Sequence, residues 1–235
     1  RSGEGIVRKA VEKAMRIMSK QFVMGRTIAE ATKRAKSNES MGFSYSYDML
    51  GEAALTEEDA QRYMKSYEDA IHNIGKNADP QKSLRENPGI SVKLSAIHPR
   101  YEEGQRHRVM NEIPPRLLKL AQLAKQYNIG LTVDAEESER LMLSLDIFSE
   151  VYQHESLAGW HGFGLAVQSY QKRAFYVIDH IADLAKHHKR RIMVRLIKGA
   201  YWDTEIKQAQ VEGLDNYPVY TRKVFTDVSF QACAK

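Results

Sequence analysis

Four short apolar segments in the chain are each followed by a segment with helical periodicity, and this alternation restricts the fold more than any other feature. The apolar segments lie at residues 90–97, 129–137, 163–170 and 191–199, a repeat of roughly 30–40 residues per unit. Parallel strands need a long crossover between them, usually a helix, so this spacing predicts a parallel sheet covered by helices. An alternating segment at 43–47 predicts one further strand before them.

Apolar residues at three- and four-residue intervals predict helices before and between these strands. Thr56, which is followed by acidic residues, is typical of a helix-capping pattern. The predicted helices cover residues 6–22, 28–36, 56–74, 114–127, 138–152, 171–187 and 203–211, and a last one runs from Pro218 to the end of the chain.

Polar residues at the ends of the apolar segments decide between two α/β architectures. Lys93, Asp134, Gln168, Arg195 and Lys198 lie at the carboxyl ends of successive predicted strands. A (βα)8 barrel enzyme builds its active site from such strand ends. A dinucleotide-binding doubly wound sheet would instead carry a glycine-rich GxGxxG turn, which the sequence lacks. We therefore predict an α/β fold of the TIM-like (βα)8 barrel type.

The number of predicted strands is smaller than a closed barrel requires. Five strands are predicted, whereas a (βα)8 barrel has eight. We therefore expect residues 41–235 to hold the first five or so βα units of a barrel that is incomplete at its C-terminus, preceded by an N-terminal helical segment at 1–40.

Composition limits the classes of protein to which the chain can belong. Hydrophobic residues make up 43% of the 235 positions and charged residues 28%, which is enough to bury a sizeable core. Cys233 is the single cysteine, so a disulfide framework is excluded and a reducing compartment is favoured. Apolar runs stay well short of the roughly 20 residues that span a bilayer. A cytoplasmic location is predicted.

Positive charge is concentrated at the front of the chain. Residues 1–36 hold ten Lys and Arg against three Glu, a net charge of +7, so the remainder contributes −2 to the total of +5. A basic amphipathic segment can contact nucleic acid or an anionic membrane surface, or can be a solvated helix face. We prefer the solvated face, because no nucleic-acid-binding motif accompanies the charge.

The polar strand ends point to an anionic substrate and a flat cofactor. Lys93 and Asp134 end neighbouring strands, where pairing would satisfy both charges. Gln168 can donate and accept hydrogen bonds at the edge of a heteroaromatic ring. Arg195 would stabilise an anion that develops in a group stacked above it.

The corner after the last strand has a different character. Lys198 with Gly199 suits a phosphate, and Tyr201 and Trp202 add an aromatic wall. The eight histidines show no metal-ligand spacing, so no metal site is predicted. Lys93 or Lys198 could alternatively form a Schiff base, as in a barrel aldolase.

Five segments together resemble a known family. They are "YSYDMLGEAA", "SVKLSAIHPRYE", "LTVDAEESERL", "GLAVQSYQKRA" and "VRLIKGAYWDTEIKQAQ". In this order they resemble the proline dehydrogenase domain of bacterial proline utilization A (PutA) flavoproteins, from about residue 41 to the end. The resemblance implies FAD-dependent oxidation of L-proline to 1-pyrroline-5-carboxylate, with hydride transfer to flavin N5 and electrons passed to quinone. This reaction is the first step of proline catabolism to glutamate.

The resemblance also implies a role for each strand-end residue. Lys93 matches a lysine that faces the proline carboxylate, Asp134 and Tyr201 match residues of the proline pocket, and Glu52 matches an acid that gates it. The positions that match cofactor contacts are Gln168, Arg195 (near N5), Lys198, Gly199, Ala200, Trp202 and Thr221.

The same resemblance implies a larger parent protein. Some family members carry aldehyde dehydrogenase and DNA-binding modules, and the parent works in the cytoplasm, peripherally at the inner membrane. The paired arginines that grip proline in the family lie beyond residue 235. We therefore expect an isolated 1–235 polypeptide to bind FAD poorly and to be essentially inactive. The rival interpretations are a Schiff-base aldolase and a non-catalytic fragment that acts as a scaffold.

Overall fold

The computed structural model of this chain describes residues 2–50 and 53–235, with the backbone alone for residues 2, 3, 16 and 19–21. The chain divides into two units, Arg1–Tyr45 and Ser46–Lys235. The boundary expected after residue 40, between an N-terminal segment and the barrel, stays a prediction.

The first unit contains two helices, as its periodicity predicts. Helix α1 covers Ser2–Phe22 and helix α2 covers Ile28–Glu39. Thr27 caps α2, because its hydroxyl accepts a hydrogen bond from the Glu30 N–H at 3.2 Å. The interpretation of the basic front segment as a solvated helix face stays a prediction.

The second unit is built on a parallel sheet. Among the described residues the sheet has five strands in the order β1-β2-β3-β4-β5, with every pair parallel. The strands are β1 (Ser46–Tyr47), β2 (Gly89–Val92), β3 (Gly130–Val133), β4 (Phe163–Gln168) and β5 (Met193–Ile197). Sequential order with helical crossovers is the topology of a (βα) barrel. The prediction of an α/β chain holding the first five units is confirmed.

Six helices of the described residues follow these strands or separate them. Their bounds are α3 (Glu57–Lys76), α4 (Arg106–Gln126), α5 (Leu141–Tyr152), α6 (Ala174–His187), α7 (Trp202–Val211) and α8 (Lys223–Cys233). Thr56 forms the expected capping box at the start of α3, since its side chain and that of Asp59 each bond the other's backbone N–H.

The strands are shorter than the apolar segments predict. The segment at 90–97 leaves the sheet after Val92 and forms a 3-10 turn at Leu94–Ala96. The Lys93 N–H donates to the Tyr67 hydroxyl at 3.1 Å instead of pairing with a neighbouring strand. Each strand therefore ends where its chain begins to build the loops at the mouth of the half-barrel.

Two helix starts were predicted wrongly. Helix α4 begins at Arg106, two turns before Pro114, which lies inside the helix and not in its first turn. The last helix begins at Lys223, because residues 218–222 bond elsewhere. Lys172 N–H donates to the Pro218 carbonyl at 3.0 Å, and Tyr220 N–H to the Tyr170 carbonyl at 2.8 Å.

Strand register assigns the residues of the concave face. Gly89 pairs with Gly130, Ser91 with Thr132, and Ala166 with Arg195, and paired residues of a parallel sheet point to the same side. From the amino to the carboxyl end, the rows of this face are Gly89 and Gly130, then Ser91, Thr132, Gly164 and Met193, then Ala166 and Arg195, and last Gln168 and Ile197. Lys93 and Asp134 follow Ser91 and Thr132 by two residues, so they come at the level of Arg195. The charged residues thus share one level near the carboxyl ends of the strands.

Candidate active site

A charged cluster occupies the carboxyl end of the half-barrel. The Lys93 ammonium donates to Asp134 at 3.0 Å and to Asp48 at 2.7 Å. Arg195 donates to the other oxygen of Asp134 and, at 2.7 Å, to the Ser91 hydroxyl. One buried carboxylate, 7% exposed, therefore holds two cations that come from different strands.

The fold explains why a core strand contains a guanidinium. Arg195 lies in the middle of β5 and points to the concave side, where Ser91 and Asp134 meet it from β2 and from the end of β3. The Arg195 side chain is 40% exposed to solvent. Arg195 is consequently fixed by protein partners and still open to a ligand above the sheet.

The Gln168 side chain, at the end of β4, forms hydrogen bonds with the loops that follow β3 and β5. Its amide N–H donates to the Glu136 carbonyl at 2.9 Å, and its amide oxygen accepts from the Ala200 N–H at 2.9 Å. The side chain is buried. One amide N–H and one oxygen lone pair remain for a further partner. The expected contact with a flavin ring is compatible with this capacity and stays a prediction.

The corner after β5 needs a glycine. Gly199 has φ +147°, and a Cβ added there would lie 2.4 Å from the Tyr170 ring. The neighbouring Lys198 ammonium pairs with Asp227 at 2.6 Å, and this contact lowers the pKa of the Asp227 carboxyl. Lys198, Gly199 and Ala200 are all exposed, so the corner presents a bare backbone and a cation at the surface.

We expect Gly199→Ala to lower the free energy of unfolding by roughly 2–4 kcal/mol, because backbone strain and overpacking act together there. Gly213→Ala is the matched control, since Gly213 also has positive φ (+65°) but open space around it. Urea unfolding of both variants measures the difference. Equal losses would mean that the Tyr170 contact has no effect.

The other residues predicted for the site lie around this corner, with one exception. Tyr201 precedes α7, and burial, with smaller contributions from Glu136 and Glu137, raises the pKa of its phenol to about 12. Trp202 is 42% exposed, and its indole N–H donates to the Tyr220 carbonyl at 2.8 Å. Thr221 follows Tyr220 and is exposed. Glu52, the predicted gate, lies outside the described residues.

A cavity of about 720 Å³ opens beside the charged cluster. It is large enough for a small amino acid. Its lining comes from the loops that follow β1, β2, β3 and β5, and comprises Asp48, Met49, Leu50, Ala53, Ala54, Leu55, Lys93, Ser95, His98, Pro99, Tyr101, Glu136, Glu137, Arg140 and Tyr201. The predicted residues Lys93 and Tyr201 therefore share one cavity.

Several residues of this cavity were not among the site residues predicted from the sequence. Asp48 follows β1 directly and obeys the same strand-end rule as Lys93, so that rule could have found it. Glu136 accepts hydrogen bonds from the Ser95 N–H at 3.1 Å and from Arg140 at 3.0 Å. Burial raises the pKa of Glu136 despite these contacts.

His98 forms part of the cavity wall in a defined protonation state. Its Nδ1 accepts from the Arg100 N–H at 3.1 Å, so the proton lies on Nε2, which faces Glu112 at 3.1 Å. The ring is buried. Burial lowers its pKa below the ordinary value of 6.5, although Glu112 opposes the shift.

This shift predicts a pH-dependent stability. Because the unfolded chain protonates His98 more readily, the contribution is complete above pH 6.5 and is lost as the pH falls through that value towards the folded pKa. We expect the free energy of unfolding to fall by about 1 kcal/mol more between pH 7.5 and 5.5 in the unmodified protein than in His98→Gln. Urea unfolding at both pH values tests this, and parallel losses would contradict it.

Two features are absent from the described residues. In the part of the chain that the structure describes, no helix has the length and apolar character to cross a membrane. Within the same residues, no three His, Cys, Asp or Glu side chains are grouped so that they could hold a metal ion.

Comparison with known proteins agrees with this geometry. Residues 31–235 match the family model described as Proline dehydrogenase. The bifunctional protein PutA of Escherichia coli is 59% identical over the whole chain, which spans 18% of that protein. Proline dehydrogenase 1 of Bacillus subtilis is 28% identical over 79% of the chain, which spans 53% of it.

Solved structures give the same result for the fold. The structure of PutA from Bdellovibrio bacteriovorus inactivated by N-propargylglycine superposes with a TM-score of 0.92 at 25% identity, over 98% of this chain and 25% of that one. Together with the family match over most of the sequence, this likeness leaves one assignment: the chain belongs to the proline dehydrogenase family.

Proposed function

We propose that this chain forms the first half of the active site of an FAD-dependent proline dehydrogenase, which oxidises L-proline to 1-pyrroline-5-carboxylate. The observation that carries the proposal is the cluster of Lys93, Asp134 and Arg195 beside a cavity of about 720 Å³. Membership of the family supports the reaction class.

The cavity supplies a site for the substrate carboxylate. The Lys93 ammonium lines the cavity and is 20% exposed, so a carboxylate that enters can reach it. Asp134 holds the ammonium from the buried side at 3.0 Å. Tyr201 lines the same cavity and supplies an apolar ring face for the pyrrolidine.

The residues around β5 fit FAD. The strand carries partly exposed positions along its whole length, whereas every position of β4 is buried, so its concave side is accessible to a flat ligand. Arg195 would lie under the flavin and Gln168 at its edge, and Lys198, Gly199, Ala200, Trp202 and Thr221 would contact the rest of the cofactor. When bound, FAD would supply at N5 the acceptor for the hydride that leaves the ring carbon beside the proline nitrogen.

The protein's own contribution is positioning and charge. Arg195 is held by Ser91 and Asp134, so its positive charge is in place before negative charge develops above it, and little reorganisation is needed. Lys93 orients the substrate through the carboxylate, and the cavity walls exclude water from the reacting carbon.

The later steps belong to the whole protein. We propose that the electrons pass to quinone and that the product enters catabolism to glutamate. The single cysteine supports a cytoplasmic location, and a lipid-soluble quinone requires contact with the inner membrane surface. The E. coli relative is named as a bifunctional protein, which supports further modules, such as aldehyde dehydrogenase and DNA-binding modules, in the parent of this chain.

The environment of Lys93 disfavours the rival aldolase function. A Schiff-base lysine acts as a neutral amine, typically in an apolar pocket. Lys93 instead lies between two carboxylates, at 2.7 and 3.0 Å, an environment that suits a permanent counter-ion. Lys198 is paired with Asp227 in the same manner.

A spectroscopic experiment tests the function. The full-length protein with FAD is mixed with L-proline under anaerobic conditions, and the flavin absorbance at about 450 nm is followed. D-Proline is the control. Loss of the band with L-proline alone is the expected result. An unchanged spectrum, or covalent trapping of a carbonyl substrate by borohydride, would contradict the proposal.

A further inference from the structure

Asp48 belongs to the charged cluster, although neither the motifs nor the family match had singled it out. Asp48 follows β1 and lines the cavity. Its Oδ1 accepts from the Lys93 ammonium at 2.7 Å, which is shorter than the 3.0 Å contact between Lys93 and Asp134. The ammonium that is proposed to bind the substrate carboxylate is thus already bound to a carboxylate of the protein on the cavity side.

The two aspartates differ in how firmly they are fixed. Asp134 is 7% exposed and is bonded to both Lys93 and Arg195. The Asp48 side chain is 42% exposed, and among the described residues its Oδ2 makes no hydrogen bond. Moving Asp134 would leave two cations without their shared anion, whereas water can replace Lys93 as the partner of Asp48.

Repulsion between carboxylates also favours the displacement of Asp48. Lys93 is paired with both Asp48 and Asp134. A substrate carboxylate that docks on Lys93 adds one negative charge beside these two carboxylates, and like charges at this distance repel. Departure of Asp48 into solvent relieves this repulsion.

We propose that Asp48 is a resident counter-ion of Lys93 that the substrate carboxylate must displace, and that it thereby sets the affinity of the site for its substrate. The inference rests on the proposed oxidation of proline for the identity of the substrate. It adds a residue that weakens substrate binding to a site whose other charged groups strengthen it.

The decisive experiment compares two ligands in Asp48→Asn and the unmodified full-length protein with FAD. L-Proline gives KM. (S)-Tetrahydrofuran-2-carboxylate, which has the same ring and carboxylate but an ether oxygen in place of the ring ammonium, gives an inhibition constant. We expect Asp48→Asn to lower both constants in parallel by about 3- to 10-fold, the range for loss of one partly exposed charge interaction. The shift should fall on KM more than on kcat.

Control variants separate this effect from a general one. Asp48→Glu keeps the charge on a longer side chain and should restore constants close to those of the unmodified protein. Asp183→Asn removes an exposed carboxylate of α6, which is paired with Lys186 at the surface, and should change neither constant.

Every other outcome overturns the proposal. A rise in both constants would mean that Asp48 holds Lys93 in place for the substrate. A rise for proline alone would mean that Asp48 binds the ring ammonium, and no change in either would mean that the contact with Lys93 is without effect.

Calorimetry with (S)-tetrahydrofuran-2-carboxylate keeps the two proposals distinguishable. It measures binding at Lys93 without turnover, so it reports on Asp48 even if the unmodified protein fails to oxidise proline. If Asp48→Asn unfolds, the same titration of Asp48→Ser replaces it, and weaker binding than in the unmodified protein counts against the proposal.

Discussion

Replacing Arg195 with methionine is expected to lower kcat for proline oxidation by roughly 100- to 1,000-fold, the usual effect of removing one preorganised charge from a transition state. Arg195 is held by Ser91 and Asp134 under the proposed flavin site, and methionine has a similar length without the charge. Anaerobic stopped-flow measurement of flavin reduction by L-proline isolates the chemical step from quinone turnover.

Two further variants show whether the loss of rate is specific to the charge of Arg195. Arg191→Met removes the same side chain from the opposite end of the β5 segment, where it is exposed, and should leave the rate unchanged. Arg195→Lys keeps a charge but loses the two-pronged contact, so an intermediate rate is expected. Equal rates for the Arg195 and Arg191 methionine variants would contradict a role in the reaction.

Replacing Asp134 with alanine is expected to lower both stability and activity. Asp134 is the buried carboxylate shared by Lys93 and Arg195, and its removal leaves two cations with less compensation. Removing one partner of a fully buried pair costs about 3–5 kcal/mol. Because the Arg195 side chain is 40% exposed, we expect a smaller loss here, about 2–3 kcal/mol. Urea unfolding monitored by circular dichroism measures it.

The matched control for this variant is Asp183→Ala, which breaks an exposed pair with Lys186 and should cost less than about 0.5 kcal/mol. Combining Asp134→Ala with Arg195→Met should cost less than the sum of the single changes, because the second change removes the cation that the first leaves unpaired. Additive losses, or a loss no greater than that of the control, would show that the shared carboxylate is not a stabilising element.

The succession of strands and helices could be predicted from the sequence because it depends on local periodicity. Each of the four apolar segments contains a strand of the sheet, and each helical pattern overlaps a helix. The ends were less accurate. Apolar residues continue past Val92 because they pack in the loops, and Pro114 resembles a helix start although α4 begins at Arg106. Periodicity reports burial and does not report where hydrogen bonds leave the sheet.

Within the candidate site, the contacts that could be predicted are those between residues at the ends of neighbouring strands. Lys93 and Asp134 follow neighbouring strands, so their contact at 3.0 Å follows from the topology. Asp48 was missed because the strand-end rule was applied only to the four later segments, although Asp48 directly follows the strand predicted at 43–47. The roles in catalysis of the selected residues remain predictions.

The class of fold, the end of the sheet at which polar groups collect, and the family can all be predicted from the sequence, since they depend on residue order and spacing. The pairing of the charges is visible only in the three-dimensional structure. Asp48 is 45 positions from Lys93, and Ser91 is 104 positions from Arg195. Such partners meet because parallel strands bring their carboxyl ends to one edge, and a contact between side chains of different loops depends on distances that no local pattern contains.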